Sequence, residues 1–150
     1  MIVKFRKLHP NAIVPVYKTA GAAGADLCIA EFSGRCREYN ICRFYPGQIL
    51  LVDTGLSIEI PFGFEGQIRP RSGLGTRGIT VVNTPGTVDS DYRGSLRIAL
   101  VNLGSGYFDL NVGDRVAQLV IAPVVQGRFE EVEILEATER GTNGFGSTGT

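Results

Sequence analysis

Apolar residues occur along this chain in short runs, many of them alternating with polar residues and rich in valine and isoleucine. A period of two predicts β-strands that bury one face, whereas an amphipathic helix needs a period near 3.6. Short turn sequences such as PFG, TPG, LGSG and NVGD separate the runs, and this favours an all-β sandwich, jelly roll or barrel. The predicted strands cover residues 2–5, 25–30, 48–52, 56–60, 64–70, 79–82, 95–103, 115–125 and 129–135.

Three stretches depart from the strand pattern. SGLGTRG, directly after Arg71, is the one place where we expect a helical turn. Residues 31–47 are irregular and predict a surface loop or an extra hairpin. The glycine-rich, polar residues 137–150 predict a mobile C-terminal arm, which in most proteins is only a frayed end. We therefore expect one all-β domain over residues 1–150, with a β body over 1–136, one short helix and a flexible arm.

Composition and charge narrow the function classes. The formal net charge of the 150 residues is +0, so the chain lacks the basic excess that non-specific nucleic-acid binding requires. Its longest apolar stretches, such as VAQLVIAPVV, are shorter than the ~20 residues of a membrane-spanning helix. The start, MIVKFRKLHPNAIVP, carries charge and proline where a secretory signal has an apolar core. We predict a cytoplasmic protein that binds no membrane and no nucleic acid directly.

The cysteines and the single histidine offer little chemistry. Cys28, Cys36 and Cys42 are an odd number without a CxxC pair, and His9 is the one histidine, so the usual zinc-ligand spacings are absent. Reduced thiols are the expectation for a cytosolic protein. A Cys–His nucleophile pair is the less favoured alternative, because nothing in the sequence brings His9 near a cysteine. The general base of any enzyme here is therefore expected to be a carboxylate.

NTPGTVDSDYRG, residues 83–94, places an unusual amount of acid beside an expected tight turn. Pro85 and Gly86 fit the central positions of a type II turn that closes a hairpin. Asp89 and Asp91 would then point to the same side of the following strand. A solvated turn explains these residues equally well, because aspartate, serine and asparagine favour turns for local reasons.

The functional interpretation of this stretch is a catalytic loop. Two like charges at close range are unfavourable unless a cation neutralises one of them, and Arg93 or Arg97 can do so. Asp89, nearer the turn, is then free to activate a water molecule. Tyr92 points to the other side, where its ring can pack against a sugar.

Two further stretches carry groups that suit a phosphate. Arg71, the Ser72 hydroxyl and the flexible Gly73 form a compact cluster of hydrogen-bond donors in RPRSGLG. The alternative is an ordinary helix cap at Ser72. Gln118 lies among apolar residues, where an unpaired amide costs about 1–3 kcal/mol, so it must meet either backbone or a ligand.

Weaker signals come from the two ends of the chain. Asp26 lies among glycine and alanine, where its carboxylate could orient a hydrated cation. In the tail, Arg140 offers a two-pronged donor for phosphate and Phe145 a flat surface on which a base can stack. Phe145 docked on the protein's own surface is the structural alternative.

Five motifs together carry a specific resemblance. AGAAGADL, PRSGLG, NTPGTVDSDYRG, GDRVAQLVI and RGTNGFGSTG occur in this order and resemble the five motifs of the trimeric deoxyuridine triphosphatases, or dUTP diphosphatases. The likeness runs from about residue 2 to 150, and five weak motifs in order make a strong signal. It implies a distorted jelly-roll, β-barrel-like homotrimer with three active sites at subunit interfaces, each closed by a C-terminal arm.

The resemblance also implies roles for individual residues. Asp89 corresponds to the catalytic aspartate that holds the attacking water. Base and deoxyribose would be bound by Asn83, Gly86, Thr87, Val88, Tyr92, Arg97 and Phe145. The phosphates would be bound by Arg71, Ser72, Gly73, Gln118, Arg140, Gly146 and Ser147.

The implied reaction is hydrolysis of dUTP to dUMP and pyrophosphate. It would supply dUMP for thymidylate synthesis and keep uracil out of DNA. Water would attack the α-phosphorus in line, with Mg²⁺ bridging the phosphates. In this family the metal ion is held mainly by phosphate oxygens and water molecules, so no direct protein ligand is expected. Asp26 is a candidate for the outer coordination shell of the metal ion.

Two departures and two rivals stay open. Asn143 stands where the arm motif usually has glycine, and asparagine tolerates the backbone that glycine adopts there, so we expect closure of the arm to survive. Residues 31–47 are longer and more basic than expected, and a regulatory partner that binds there is conceivable. The rivals are a dCTP deaminase-related enzyme, which would need a glutamate base, and a nucleotide-binding regulatory protein on the same fold.

Overall fold

A computed structural model describes residues 1–144, which are built almost entirely from short strands. Besides the strands there are one single-turn α-helix, α1 (Ser72–Gly75), and one 3₁₀ turn (Gly34–Cys36). No helix within these residues is long or apolar enough to cross a membrane. The strands are β1 (Lys4–Lys7), β2 (Ala25–Cys28), β3 (Glu31–Phe32), β4 (Ile41–Phe44), β5 (Ile49–Asp53), β6 (Leu56–Glu59), β7 (Phe64–Pro70), β8 (Ile79–Val81), β9 (Gly86–Val88), β10 (Arg97–Asn102), β11 (Phe108–Asn111) and β12 (Arg115–Pro123).

The strands form two four-stranded and two two-stranded antiparallel sheets. One large sheet has the order β2-β12-β7-β9 and the other the order β3-β5-β10-β8. The pairs β1-β6 and β4-β11 complete the described part of the chain, in which no sheet closes into a barrel. The inward faces supply one apolar core, whose largest fully buried side chains include Phe32, Phe44, Leu27, Ile98 and Leu100. The all-β, jelly-roll-like prediction is confirmed.

The alternating pattern located eight of the nine predicted strands, and residues 64–70 match β7 at both ends. The ninth prediction, a strand over 129–135, is wrong for this chain alone. Within the described residues this segment pairs with no strand, and the Phe129 side chain is 99% exposed. No edge strand among the described residues pairs with this alternating segment. The short strands β3, β4, β9 and β11 were not predicted, because they lack a run of apolar residues.

Residues 31–47 are part of the core and not simply a surface loop. Phe32 and Phe44 are buried, and β4 pairs with β11 instead of forming its own hairpin. Cys36 and Cys42 form a disulfide bond, so the expectation of three reduced thiols is wrong. Cys28 alone is a free thiol, and it is buried. The spacing of the cysteines did not reveal this pair, because the fold brings the 3₁₀ turn against β4.

The turn at Pro85 also differs from the prediction. The peptide bond between Thr84 and Pro85 is cis, which does not fit a type II turn with proline at its second position. The strands on either side do not form a hairpin, since β8 pairs with β10 and β9 pairs with β7. Residues 82–85 therefore cross from one large sheet to the other.

The β4-β11 pair is held on its exposed face by an ion pair that gives stability a pH dependence. Arg43 donates from Nε and Nη2 to the two carboxylate oxygens of Asp109, at 2.9 and 3.1 Å. These hydrogen bonds from Arg43 hold the pKa of Asp109 below its usual value. The stabilisation is therefore present above about pH 4 and is lost as pH falls through the lowered pKa of the folded state.

We predict that Asp109→Asn lowers the thermal unfolding midpoint at pH 7 and that the difference from the unchanged protein vanishes at low pH. Unfolding curves between pH 7 and about pH 2 test this. Asp91→Asn is the matched control, because Asp91 has no ion pair among residues 1–144. A constant difference between Asp109→Asn and the unchanged protein at every pH would contradict the prediction.

Candidate functional site

A pocket of about 430 Å³ opens where the edges of the two large sheets meet. The edge strands β8 and β9 and the crossing segment between them form one side, and β10 with the loop before it forms the other. Its walls include Asn83, Gly86, Thr87, Val88, Asp89, Tyr92 and Arg97. Every residue that the sequence assigned to the base and sugar and that the structure describes therefore lies in one cavity.

Strand β9 presents unpaired backbone groups to this pocket. It is the last strand of its sheet and pairs only with β7, so one row of its N–H and C=O groups has no strand partner. Gly86 lies against the Asn83 side chain, and a Cβ at Gly86 would come within 3.2 Å of Asn83 Nδ2. The absence of a side chain at Gly86 thus lets the Asn83 amide approach the strand. This edge can hydrogen-bond a planar heterocycle through backbone and amide together.

Asp89 follows the end of β9 and borders two cavities. It lies in the wall of the first pocket and also in that of a second cavity, of about 770 Å³, together with Glu65, Ser90 and Asp91. Its side chain is exposed and accepts no hydrogen bond or ion pair from residues 1–144. A carboxylate in this position keeps its oxygens available for water.

The arginines expected to neutralise the acidic loop do not do so in this chain. Arg93 donates from Nη1 to the carbonyl oxygens of Ser90 and Tyr92, at 2.6 and 2.8 Å, and so braces the loop backbone. Within the described part of the chain, neither Arg93 nor Arg97 forms an ion pair with Asp89 or Asp91. That part of the prediction is wrong, because the loop turns directly after Val88 instead of continuing as a strand.

Tyr92 is held at one wall of the pocket. Its hydroxyl donates to the carbonyl oxygen of Ser95 at 3.0 Å, and its backbone N–H donates to the carbonyl oxygen of Asp89 at 3.2 Å. Its ring covers Gly94 so closely that a Cβ there would overlap the phenol. The ring therefore has a set position across the cavity.

A second group of predicted residues lies at the other end of the same sheet. Arg71 donates from Nε to Asp26 Oδ1 at 3.0 Å, and Arg115 donates from Nη1 to Asp26 Oδ2 at 2.9 Å. The Asp26 side chain is only 13% exposed. The surplus of one positive charge makes this end of the sheet suitable for an anion.

The remaining phosphate candidates of the body adjoin Arg71. Ser72 and Gly73 are the first residues of α1, and the N-cap is Arg71 rather than Ser72, so the capping alternative for Ser72 is wrong. Gln118 pairs in register with Asp26, and its Nε2 donates to the carbonyl oxygen of Pro70 at 2.9 Å. The Gln118 amide therefore meets backbone, as a polar group among apolar residues must.

The two groups of residues are far apart within one chain. Val88 pairs with Gly66, and the strand from Gly66 to Arg71 spans about 16 Å at about 3.3 Å per residue. Arg140 Nε donates to the carbonyl oxygen of Asn143 at 3.0 Å. The predicted residues Phe145, Gly146 and Ser147 lie outside the described residues.

The cysteine–histidine alternative has no support in the structure. Burial, followed by the nearby Asp26 carboxylate, raises the pKa of the Cys28 thiol, which favours the neutral, unreactive form. His9 lies instead beside Glu31, with Nε2 3.9 Å from Oε2. Neither side chain lines the pocket between the sheets.

Metal ligands are scarce in the described residues. No group of three or more histidine, cysteine, aspartate or glutamate side chains within 1–144 could hold a metal ion. Both oxygens of Asp26 already accept a guanidinium hydrogen bond. A metal ion carried by the phosphates of a substrate would need no such cluster.

Arg115 is the residue of this region that sequence reasoning missed. It stands in GDRVAQLVI, but the alternation of a regular strand places residues 115 and 118 on opposite faces. A β-bulge between Arg115 and Ala117 changes that relation. No signal in the sequence marks the bulge.

Comparison with known proteins identifies the family. A statistical model of the dUTPase family matches residues 10–149. The chain belongs to the dUTPase family. It is thus a hydrolase of nucleotide metabolism, and the predicted resemblance is confirmed.

Several curated dUTPases are similar over their full length. The deoxyuridine 5'-triphosphate nucleotidohydrolase of Wolinella succinogenes is 49% identical over 150 residues, covering 99% of this chain and 95% of that protein. The enzyme of the same name from Nautilia profundicola is 50% identical over 150 residues, covering 99% of both chains.

Solved dUTPase structures share the fold. The dUTPase of Staphylococcus bacteriophage 80alpha with dUpNHpp superimposes with a TM-score of 0.86 at 25% identity, over 99% of both chains. A dUTPase from phage phi11 of S. aureus, described with a structural Mg(II) ion, gives a TM-score of 0.78 at 24% identity, over 91% of this chain and 100% of that one.

We predict that Gly24→Ala disturbs the packing around Gln118 at the Arg71 end of the sheet. A Cβ at Gly24 would overlap Gln118 Oε1 and lie 2.9 Å from its Cδ and 3.0 Å from its Cβ, so the amide must leave the Pro70 carbonyl. A loss of about 1–3 kcal/mol in the free energy of unfolding is expected. Denaturant unfolding measures it. Gly21→Ala is the control, since nothing lies within 4 Å of a Cβ there, and equal losses in both variants would contradict the prediction.

Proposed function

We propose that this dUTPase hydrolyses dUTP to dUMP and pyrophosphate, with Asp89 as the catalytic residue. The observation that carries the proposal is the position of Asp89, which lies unpaired among the described residues at the mouth of the pocket formed by β8, β9 and β10. The curated relatives that match the full chain carry the name of this activity. In the cell the reaction would supply dUMP for thymidylate synthesis and keep uracil out of DNA.

The free edge of β9 is the proposed element that recognises the base by hydrogen bonding. Uracil presents acceptor, donor and acceptor along its pairing edge, and backbone groups of residues 86–88 with the Asn83 amide can complement that order. Cytosine presents a different order and would leave buried polar groups unpaired, which is a strong basis for rejection. The buried side chain of Val88 next to the edge limits space for additional groups on the base.

Tyr92 is the proposed sugar-selecting residue. Its ring is fixed from both ends, by the hydrogen bond to the Ser95 carbonyl and by contact with Gly94. A ribose 2′-hydroxyl has no room to displace a ring held in this way. Arg97, in the wall of the same pocket, is the proposed polar contact beside the sugar.

In the proposed chemical step, Asp89 and the group around Arg71 have separate roles. Asp89 would orient the attacking water and accept its proton, while the oxygen of that water forms the new bond to the α-phosphorus. The bond from that phosphorus to the bridging oxygen breaks, and pyrophosphate leaves in line. The positive end at Arg71, with Ser72, Gly73 and Gln118, would hold the negative charge of the phosphates. Mg²⁺ would enter as part of the substrate, bound to phosphate oxygens and water, and there it offsets charge.

A complete site requires more than one copy of the chain. Asp89 and Arg71 face opposite ends of β7, about 16 Å or more apart, whereas the groups of one bound dUTP must meet both. We propose a homotrimer in which β9 of one subunit and the Arg71 end of another form each site. Arg140, Phe145, Gly146 and Ser147 of a C-terminal arm would close it.

Exposed apolar surface supports the assembly. On the outer face of the second large sheet, Ile49 is 66% exposed, and Leu51 and Val82 beside it are also exposed. After β12 the chain carries further exposed apolar side chains, including Val125, Phe129 and Ile134. Surface of this kind marks an interface rather than a free surface. The alternation predicted over 129–135 is then that of a strand which pairs with a neighbouring subunit.

The proposed compartment and partner follow from composition and from residues 31–47. We propose a cytoplasmic enzyme, although the Cys36–Cys42 disulfide is uncommon for that compartment. The side chains of Tyr39 and Ile41 are exposed in residues 31–47 and leave room for the predicted regulatory partner. Phage dUTPases of the same fold are described as controlling transfer of virulence genes by a G protein-like mechanism.

We predict release of pyrophosphate from dUTP and not from dCTP, dTTP or UTP when all four are supplied with Mg²⁺. Asp89→Asn is expected to lower kcat by at least about 10³-fold with nearly unchanged affinity for dUpNHpp, because the water loses its base while the binding groups remain. Asp91→Asn, two residues away, is the matched control and should keep most activity. Release of pyrophosphate from dCTP together with a uracil-containing product would instead indicate a dCTP deaminase-related enzyme.

We predict that two inactive variants restore each other when mixed. Asp89→Asn damages one subunit's contribution and Arg71→Met the other's, so mixed trimers contain some sites with both halves intact. Denaturing and refolding the two proteins together, then assaying dUTP hydrolysis, tests this. The same treatment of each variant alone is the control. Activity that never exceeds the sum of the separate variants would contradict shared sites.

A further inference from the structure

We propose that Arg115 is a positioning residue of the phosphate end, the cluster of Asp26, Arg71 and Arg115. Arg115 holds the Asp26 carboxylate and thereby sets the orientation of Arg71 and the net charge of the cluster. The proposal rests on the proposed function, because it assigns a role within the site that would bind the triphosphate. Arg115 would not touch the substrate itself. It would act through the carboxylate that it shares with Arg71.

The β-bulge in β12 is what brings Arg115 to this place. Arg115 pairs with Cys28 and Ala117 with Leu27, so Val116 is the extra residue. Val116 and Ala117 are consecutive and both buried, which agrees with an extra residue at this point of the strand. The face therefore shifts by one residue, and Arg115 points to the same side as Gln118.

Asp26 is the shared partner on that face. It pairs in register with Gln118 on β12 and lies two residues from Cys28, the partner of Arg115. One carboxylate oxygen accepts from Arg71 at 3.0 Å and the other from Arg115 at 2.9 Å. Because the carboxylate is largely buried, both bonds form in surroundings where charge-assisted hydrogen bonds are strong.

Arg71 is consequently held at two points. Its Nε donates to Asp26, and its Nη1 donates to the backbone carbonyl oxygen of Arg115 at 3.0 Å. Its Nη2 has no hydrogen-bond partner among the described residues, so the protons of that nitrogen are available to a ligand. A guanidinium fixed in this way loses little further freedom when it binds phosphate.

The charges of the three side chains explain why one arginine would not suffice. Asp26 with Arg71 alone is neutral, and its carboxylate would compete with phosphate for the same guanidinium. Arg115 engages the second carboxylate oxygen and leaves the cluster with one net positive charge. Arg115 thus weakens the attraction between Asp26 and Arg71, so that Asp26 competes less with phosphate for the Arg71 guanidinium.

The first test is Arg115→Met, which keeps a long apolar stem and removes the charge. The backbone carbonyl that holds Arg71 Nη1 stays in place, so the change isolates the bond to Asp26. We expect the Kd for dUpNHpp to rise about tenfold, a coupling typical of contacting charged side chains. The Kd for uncharged deoxyuridine should stay within about twofold, and the loss in hydrolysis should fall mainly on KM. An unchanged Kd for dUpNHpp overturns the proposal.

The second test asks whether Arg115 acts through Arg71. In an Arg71→Met background, Arg115→Met should weaken dUpNHpp binding by no more than about twofold. A full, additive tenfold loss would mean that Arg115 contacts the phosphates directly, and it overturns the positioning role. Arg115→Lys places a cation within reach of Asp26 and should bind within about threefold of the unchanged protein. A Lys variant as weak as the Met variant contradicts the proposal.

Arg69→Met is the matched control for loss of a nearby positive charge. Arg69 pairs in register with Gln118 on β7 and hydrogen-bonds to Gln67 rather than Asp26. Its removal should change dUpNHpp binding by less than about twofold, and a loss equal to that of Arg115→Met overturns the proposal. Where Arg115→Met lowers the unfolding temperature too far, Arg115→Gln replaces it.

The unchanged protein separates this inference from the proposed function. If it neither binds dUpNHpp nor hydrolyses dUTP, the proposed function itself fails. If it does both and Arg115→Met behaves in the same way, only the role of Arg115 fails.

Discussion

The pairing of β7 with β12 is the constraint on which the site depends. The ladder runs in register from Phe64 with Pro123 to Pro70 with Ala117, and it joins β2 on one side to β9 on the other. At one end it places Arg71 and Gln118 beside Asp26. At the other it places Asp89 beyond the end of β9. Because the register of this ladder is unbroken, the length of β7 sets the distance between these two charged ends.

That distance connects the fold to the proposed assembly. If one substrate contacts both ends, the second half of each site would come from another copy of the chain, and a closed symmetric oligomer would provide every copy with the same partner surface. In the proposed assembly, the exposed apolar side chains on β5 and after β12 would be covered by neighbouring subunits. In the proposed assembly, formation of a complete catalytic site would depend on formation of the oligomer.

The charged side chains at the two ends of the sheet follow a common arrangement. Among residues 1–144 the Asp89 carboxylate has no partner, since Arg93 donates to backbone carbonyl oxygens. In the same part of the chain Arg71 Nη2 has no partner, since Nε donates to Asp26 and Nη1 to the Arg115 carbonyl oxygen. In each case a second arginine acts on backbone or on a carboxylate, and the group assigned to the substrate is left exposed and oriented. The Arg71 end and the Asp89 end of the sheet thus carry charges of opposite sign and lie apart.

The sequence by itself determined the fold class, the family and most of the polar residues that line the pocket between the two large sheets, because strand periodicity and five ordered motifs are local signals. It also located both ends of β7, where a long alternating run made the strand unambiguous. Only the tertiary structure decided the rest. The bulge that turns Arg115 toward Asp26, the Cys36–Cys42 bond and the separation of β8 from β9 all depend on which strands pair, and pairing is a long-range choice. The segment 129–135 shows the same limit, since its alternation predicts a strand but cannot say on which chain the partner edge lies.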